Sequence, residues 1–231
     1  MEKLFNYISN PTYLTENEKL SVIKFFKLLL FFYLVLLPAS GLLIILQIIE
    51  VLPENKIDDL DNSFTSLFLL IFIAPLLEEL TFRLPLRIKR DSISISLSLI
   101  LVIFIKLFLF QKDCYLVYLL SVPIYFTIYF ILLNLKRIYS KFKVFWTYNI
   151  RVMFYLSAMA FGLSHLFNYK DIYWWMLIAS PLITLPYIVM GLFLGYIRMN
   201  YGFIYSLLFH AIINFFPSIT IIVKMIKSSM A

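Results

Sequence analysis

Seven apolar stretches, each about as long as a membrane-spanning helix, restrict the possible folds of this chain more than any other feature. A helix that crosses the hydrocarbon core needs roughly 20 apolar residues. The stretches cover approximately residues 28–49, 64–83, 92–110, 114–135, 151–168, 174–196 and 203–223. Only 14% of the residues are charged and 62% are hydrophobic, whereas soluble proteins have about 25% charged residues. The sequence therefore predicts an integral membrane protein with an all-α, polytopic transmembrane helix bundle of about seven spans.

The chain divides into an N-terminal segment, residues 1–27, and a transmembrane bundle, residues 28–231. Residues Thr15–Glu18 fit a capping box, which predicts a short interfacial helix that runs to Lys27. Pro38 lies inside the first span and predicts a kink there. The chain has 5 glycines but 24 phenylalanines, which favours aromatic packing between thick helices over contacts between small residues.

Positive charge is distributed unevenly between the connections, and this orients the bundle. If the N-terminus is cytoplasmic, 14 of the 20 Lys and Arg residues fall on the inner side. They are Lys3, Lys19, Lys24, Lys27, Arg83, Arg87, Lys89, Arg90, Lys136, Arg137, Lys141, Lys143, Arg151 and Arg198. The acidic loop with Asp58, Asp59 and Asp61 then lies outside. This arrangement follows the positive-inside rule, and it explains the net charge of +7 without a nucleic-acid partner. The expected partner of the apolar stretches is the lipid bilayer.

A few polar side chains interrupt the apolar spans. A charged residue at a span centre costs about 2.5–3.5 kcal/mol on insertion scales, so such residues usually have a function. The set consists of Glu78, Glu79 and Arg83 in the second span, His165 in the fifth, and His210 and Asn214 in the seventh. Both histidines of the protein belong to it. We therefore take these residues as the candidate site.

Helical spacing separates the roles of the two acids. Glu79 and Arg83 are four residues apart, with the acid first, which is the favourable order for an ion pair. Glu78 projects about 100° away from Glu79 on an α-helix, so it cannot share that arginine and can face a cavity. Two acids in opposed environments suggest an acid–base assignment. Glu78 is the candidate base, and Glu79 is the supporting residue.

Two other pairs have the same i,i+4 spacing, which places both members on one helix face. They are Phe161 with His165, and His210 with Asn214. If the second helix ended at Arg83, Glu78 would lie too near its inner end to reach the depth of His165. We therefore expect that helix to continue past Pro85 to about Arg90, which puts Glu78 roughly 18 Å from its inner end.

Three motifs follow one another in the order Glu78-Glu79-x-x-x-Arg83, Phe161-x-x-x-His165 and His210-x-x-x-Asn214. Together they resemble the CPBP family, which unites prenyl-protein CAAX endopeptidases with Abi-like bacteriocin-processing and immunity proteins. The resemblance covers about residues 64–220. It implies a multi-pass intramembrane glutamic endopeptidase, without a cofactor, that cleaves membrane-associated proteins or peptides in a bacterial plasma membrane.

The resemblance also assigns roles to individual residues. Glu78 would activate the attacking water, and His165 would help to orient it. His210 and Asn214 would stabilise the tetrahedral oxyanion. The candidate catalytic residues are thus Glu78, His165, His210 and Asn214, and the supporting residues are Glu79, Arg83 and Phe161. The 87 positions between Glu78 and His165 exceed the spacing expected for the family, so the third and fourth spans are interpreted as an inserted hairpin.

Other interpretations of the same residues stay open. Ser164 with His210 would make a Ser–His dyad, but this leaves the paired acids unexplained. Glu78, His165 and His210 would suit zinc, although the chain has no His-Glu-x-x-His motif; zinc is possible but not favoured. A non-catalytic immunity or scaffold protein of the same fold, or a proton-coupled transporter, is a further alternative. A scaffold has no need of both histidines, which favours the enzyme.

Overall fold

The computed structural model describes residues 1–56, 63–109 and 119–230, and almost all of these belong to helices. The helices are α1 (Glu2–Ser9), α2 (Val22–Ile48), α3 (residues 64–86), α4 (Arg90–Leu109), α5 (Ser121–Asn134), α6 (Lys136–Tyr148), α7 (Ile150–Ser164), α8 (Trp174–Ile183), α9 (Leu185–Asn200) and α10 (Phe203–Met230). Within the described ranges there is no strand, only an isolated bridge between Asn55 and Tyr169. The all-α class is confirmed. Asp58, Asp59, Asp61 and the single cysteine, Cys114, lie outside the described residues.

Several helices have the length and hydropathy of membrane spans. In the described part of the chain, Val22–Ile48 and Ile150–Asn168 each qualify alone. Two bent pairs, α5 with α6 at 98° and α8 with α9 at 44°, raise the number to four if each pair forms one span. Helix α2 exposes Leu30, Leu34 and Leu37 on its outer face, as lipid contact requires. The protein is an integral membrane protein, and the total of about seven spans stays a prediction.

The first long helix begins later than the capping box indicates. It starts at Val22, and the Ser21 hydroxyl caps it by accepting a hydrogen bond from the Lys24 N–H at 3.3 Å. The prediction of a short helix that begins at Thr15–Glu18 was therefore wrong. The Glu18 N–H instead donates to the carbonyl of Asn200 at 2.8 Å, so this segment crosses the C-terminal end of α9.

Helices α7 and α9 approach each other closely, and glycine makes this contact possible. A Cβ atom at Gly191 would lie 2.9 Å from both Cα and the carbonyl oxygen of Ala158, and one at Gly162 would lie 2.3 Å from Ile188. Small residues allow two membrane helices to approach this closely. The expectation of aromatic packing in place of small-residue contacts was therefore wrong at this contact.

Helix α3, which carries both acids, changes its winding along its length. It is α-helical at Phe64–Phe68 and Ala74–Glu78, π-helical at Leu69–Ile73 and Glu79–Arg83, and 3₁₀-helical at Leu84–Leu86. Single π turns inside α-helices occur frequently at functional sites. Here the second π turn begins at Glu79, directly after Glu78.

The C-terminal end of α3 differs from the prediction. The helix ends at Leu86, Arg87 is extended with φ −103° and ψ 95°, and α4 begins at Arg90, so the predicted continuation to Arg90 was wrong. Pro85 has no N–H, which leaves the Thr81 carbonyl without its helical partner. That carbonyl instead accepts a hydrogen bond from the Ser96 hydroxyl of α4 at 2.5 Å.

Candidate active site

Glu79 is fully buried where α3 packs against α10. Its Oε2 accepts a hydrogen bond from the Ser206 hydroxyl at 2.5 Å, and its Oε1 lies 3.1 Å from Nδ1 of His210. An ionised carboxylate only accepts hydrogen bonds, so Nδ1 of His210 carries the hydrogen. Glu79 is thus held mainly by side chains of α10.

Ser206 is a site residue that the sequence interpretation missed. It is fully buried, and its hydroxyl also lies 3.1 Å from the Leu194 carbonyl of α9. A signal was present, because Ser206 precedes His210 by four residues and therefore shares its helix face. A serine in an apolar helix is common, so the residue type alone did not identify it.

Arg83 contacts Glu79 less closely than the i,i+4 spacing predicts. Its Nε lies 3.8 Å from Oε1 of Glu79, within ion-pair range but beyond hydrogen-bond distance. The buried guanidinium instead stacks on Phe161, with 3.8 Å between its Cζ and the ring centroid. Arg83 therefore acts on the acids by its charge, and Phe161 fixes its position.

Glu78 lies beside Glu79 but in a more open environment. Its side chain is 29% exposed, and its Oε2 lies 3.4 Å from Nε2 of His210. His210, itself 1% exposed, therefore lies between the two acids, with one ring nitrogen facing each. The expected contrast between a buried and an open carboxylate is present in the structure.

His165 lies at the end of α7, where the helix tightens into the 3₁₀ turn His165–Asn168. Its Nδ1 lies 2.8 Å from the Phe161 carbonyl, which only accepts, so in the neutral ring Nε2 is the acceptor. The ring stacks on Tyr187 of α9, with 4.0 Å between centroids, and meets the edge of Phe161 at 4.7 Å. Phe161, fully buried, also contacts His210 at 5.7 Å. Phe161 thus joins the two histidines and Arg83 in one cluster.

Asn214 lies one helical turn beyond His210 but is not hydrogen-bonded to the other candidate residues. Its Nδ2 donates to the carbonyl of Leu70, in the first π turn of α3, at 3.1 Å. An amide group has two N–H hydrogens, so one remains for another acceptor. The structure brings together the other six predicted residues and places Asn214 at the edge of their cluster.

Two cavities flank the cluster. A cavity of 430 Å³ adjoins Glu78 and lies between α3, α4 and the end of α7. A second cavity, of 410 Å³, adjoins Asn214 and Tyr187 and reaches Tyr33 of α2. Each falls in the size range of ligand-binding pockets, and Glu78 faces the first.

The sequence also allowed a Ser164–His210 dyad and a zinc site, and the structure arranges the residues of both differently from what those sites require. The Ser164 hydroxyl donates to the Phe161 carbonyl of its own helix at 2.7 Å, and both nitrogens of His210 face acids. In the described part of the chain, no three His, Cys, Asp or Glu side chains are arranged to hold a metal ion.

The chain was also compared with known proteins. A family model described as "Type II CAAX prenyl endopeptidase Rce1-like" matches residues 61–216. This range, well over half of the chain, contains all seven candidate residues and Ser206. No curated protein and no solved structure matches the chain.

Proposed function

The chain belongs to the Rce1-like family of type II CAAX prenyl endopeptidases, and on that premise we propose that it cleaves membrane-associated proteins or peptides with water activated by Glu78. The observation that carries the proposal is the position of Glu78. Its carboxylate faces a 430 Å³ cavity on one side and His210, at 3.4 Å, on the other. A general base must lie within hydrogen-bond reach of the water that it deprotonates, and the reacting carbonyl must fit between that base and the oxyanion donor.

Glu78 acts as the general base. Its carboxylate accepts a proton from a water molecule in the cavity while the water oxygen attacks the peptide carbonyl. The same proton then passes to the leaving amine as the C–N bond breaks, which restores the carboxylate. A general base of this kind contributes about 10²- to 10⁴-fold to the rate.

His210 stabilises the oxyanion, and Glu79 with Ser206 holds it in place. As an oxyanion donor His210 needs a hydrogen on Nε2 as well as on Nδ1. Its Nδ1 lies 3.1 Å from Glu79 and its Nε2 lies 3.4 Å from Glu78, so Nε2 is the nitrogen on the side of the attacking water. One oxyanion donor contributes about 10²- to 10³-fold. Asn214 supplies a second donor through the N–H that Leu70 does not accept.

His165 orients the attacking water. Its Nδ1–H is committed to the Phe161 carbonyl, so Nε2 can accept a hydrogen bond from water. Stacking on Tyr187 fixes the plane of the ring. This role needs the neutral imidazole, whereas the role of His210 needs the charged one.

Cleavage of a prenylated peptide tests the function. The purified protein, in detergent micelles, is incubated with a farnesylated peptide ending in Cys-Val-Leu-Ser, and the products are identified by mass spectrometry. We expect hydrolysis on the carboxyl side of the farnesylated cysteine, and continued activity after treatment with a chelator because the mechanism includes no metal. Binding of the peptide without cleavage would instead indicate the non-catalytic scaffold. Loss of activity on chelation with recovery on Zn²⁺ would indicate the zinc mechanism.

We also propose that the chain crosses the plasma membrane of a bacterium several times, with its N-terminus in the cytoplasm. The support is the concentration of Lys and Arg on one side of the predicted spans. Cys114 is the only cysteine and falls on the predicted outer side. A membrane-impermeant maleimide should therefore label it in intact spheroplasts, and labelling only after lysis would reverse the orientation.

A further inference from the structure

Helix α6 has two chemically different faces, and the candidate site uses neither. At 3.6 residues per turn, one face, called here the apolar face, consists of Ile138, Tyr139, Phe142, Phe145 and Trp146. The other, the basic face, carries all four cations of the helix, which are Lys136, Arg137, Lys141 and Lys143. Val144 and Tyr148 lie among these cations, but the larger part of the helix is amphipathic.

The protein covers only one edge of the apolar face. Along this edge, Tyr139 contacts the guanidinium of Arg90, with 5.0 Å between Cζ and the ring centroid, and Trp146 packs against the main hydrophobic core. The side chains of Ile138 and Phe145 are 58% and 54% exposed, and Phe142 is exposed as well. Most of the apolar face is therefore open to the surroundings of the protein.

The bend between α5 and α6 orients this open face. Helix α5 belongs to the predicted fourth span, and it has no buried side chain, as expected for a helix surrounded by lipid. Helix α6 turns away from it by 98°. A helix at a right angle to a membrane span runs parallel to the membrane plane. After α6 the chain continues into α7, which is again long and apolar enough to cross a membrane.

The basic face has no counter-charge within the protein. Its four cations are exposed, and in the described part of the chain none of them forms an ion pair with a carboxylate. The surrounding sequence has none to offer, because residues 114–170 contain no Asp or Glu. The charge of α6 is therefore complementary to an anionic surface outside the chain.

We propose that α6 lies in the headgroup layer of the bilayer and binds anionic phospholipids. Its apolar face contacts the acyl chains through Ile138, Phe142 and Phe145, and its basic face contacts the lipid phosphates. Amphipathic helices with Lys and Arg on the polar face take this position, and four or more cations beside a membrane span favour anionic lipids. Lys141 and Phe145 line one surface groove, so an ammonium lies beside an apolar ring, as the boundary between phosphate and acyl chain requires. The binding does not depend on the proposed proteolysis.

Fluorescence quenching in nanodiscs tests the position of the helix. Cys114, the only cysteine, is replaced by Ser in the full chain, and one bimane label is attached at Phe145→Cys or Ser140→Cys. Both positions are exposed, but Ser140 is on the basic face. Lipids with brominated acyl chains should quench the label at 145 at least about twofold more strongly than the label at 140, and aqueous iodide should show the reverse order. Equal quenching at the two positions would overturn the proposal. So would a label at 145 that neither quencher reaches, because protein, for example a second copy of the chain, would then cover the apolar face.

The lipid preference tests the basic face. Binding of spin-labelled phosphatidylglycerol and phosphatidylcholine is compared for wild type and for two variants that each lose four charges at exposed positions. The α6 variant combines Lys136→Gln, Arg137→Gln, Lys141→Gln and Lys143→Gln. The control variant combines Lys19→Gln, Lys27→Gln, Lys89→Gln and Lys224→Gln.

We expect wild type to bind phosphatidylglycerol about fivefold more tightly than phosphatidylcholine, and salt at about 1 M to reduce this preference by screening. The α6 variant should lose most of the preference, and the control variant should keep it. A preference that persists in the α6 variant, or that falls equally in the control, would overturn the assignment to α6. Thermal unfolding of both variants checks that they are folded, and the quenching experiment tests the same helix with its cations in place.

Discussion

Helix α9 and the α5–α6 pair show two opposite uses of apolar sequence in one protein. From Met190 to Asn200, every residue of α9 except Leu192 is buried, and glycines bring it against α7. Helices α5 and α6 have no buried side chain, and α6 exposes Val144 and Phe145. The candidate site is built on helices that pack against α9, namely α3, α7 and α10, and α5 and α6 contribute none of its residues.

This difference shows that hydrophobicity does not separate core from surface in a membrane protein. Lipid is as apolar as a protein interior, so leucine and phenylalanine suit either position. Small and polar residues distinguish the two regions better, because a glycine allows close approach and a buried hydroxyl needs a partner. Gly162, Gly191 and Ser206 all lie in the α9 region, and each has a defined contact there.

The largest effect on stability is expected at the buried acid. Glu79→Gln removes the negative charge beside Arg83 and leaves a fully buried guanidinium without its counter-charge, which should cost about 3 kcal/mol of unfolding free energy. The midpoint of thermal unfolding in detergent, compared with the exposed Glu2→Gln, measures the effect. Equal midpoints for the two variants would show that Arg83 does not depend on Glu79.

A pair of glycine substitutions contrasts the close contact between α7 and α9 with an open position on α2. In Gly191→Ala the new methyl group would lie 2.9 Å from the Ala158 backbone, so the helices must separate, at a cost of about 2 kcal/mol. In Gly41→Ala of α2 the methyl group meets nothing within 4 Å, and the higher helix propensity of alanine should add up to about 1 kcal/mol. Chemical unfolding of both variants measures the difference, and a loss at Gly41 as large as at Gly191 would contradict the comparison.

Ser206→Ala should lower kcat about tenfold, with little change in KM. The change removes a hydrogen bond to the Glu79 carboxylate, worth about 1.5–3 kcal/mol for a charged partner, and loosens the orientation of His210. Ser218→Ala is the matched control, because Ser218 is also buried on α10 but donates to the carbonyl of Asn214 in its own helix. The same fall in kcat for both variants would show that any buried hydroxyl on α10 matters equally.

The smallest effect is expected on the exposed helix α6. The Phe145 side chain is 54% exposed, so Phe145→Ala loses few protein contacts and should change the unfolding free energy by less than about 0.5 kcal/mol. Chemical unfolding in detergent checks this. A loss of several kcal/mol would show that α6 packs against protein in the native membrane.

The sequence predicted the helical class and the groups that meet at the site better than it predicted the ends of helices. Apolar length and i,i+4 spacing depend only on local geometry, so they predicted the helices and the residues that share a helix face. The scarcity of polar residues in the spans and the family resemblance grouped Glu78, Glu79 and His210 in one site. The end of α3 depends on Ser96 of another helix, which no local pattern contains. The capping box at Thr15 failed for the same reason, because Asn200 binds the Glu18 backbone.

The positions of Arg83 and Asn214 show the same limit. Spacing alone paired Arg83 with Glu79, but Phe161 and a π turn determine where the guanidinium lies. Asn214 was expected to point at the reaction centre, yet one of its N–H groups binds the Leu70 carbonyl in another π turn. A departure from α-helical winding rotates the residues that follow it, and a helical wheel cannot anticipate that rotation.

The measurement that tests the central claim most directly is the rate of peptide cleavage by Glu78→Gln. The change keeps the size of the side chain and removes the base, and Glu78 is 29% exposed, so the fold should be little affected. We predict that cleavage of the farnesylated peptide falls at least about 10²-fold, while the thermal unfolding midpoint stays near that of wild type and Glu2→Gln remains fully active. A Glu78→Gln protein that cleaves at the wild-type rate would contradict the assignment of Glu78 as the base.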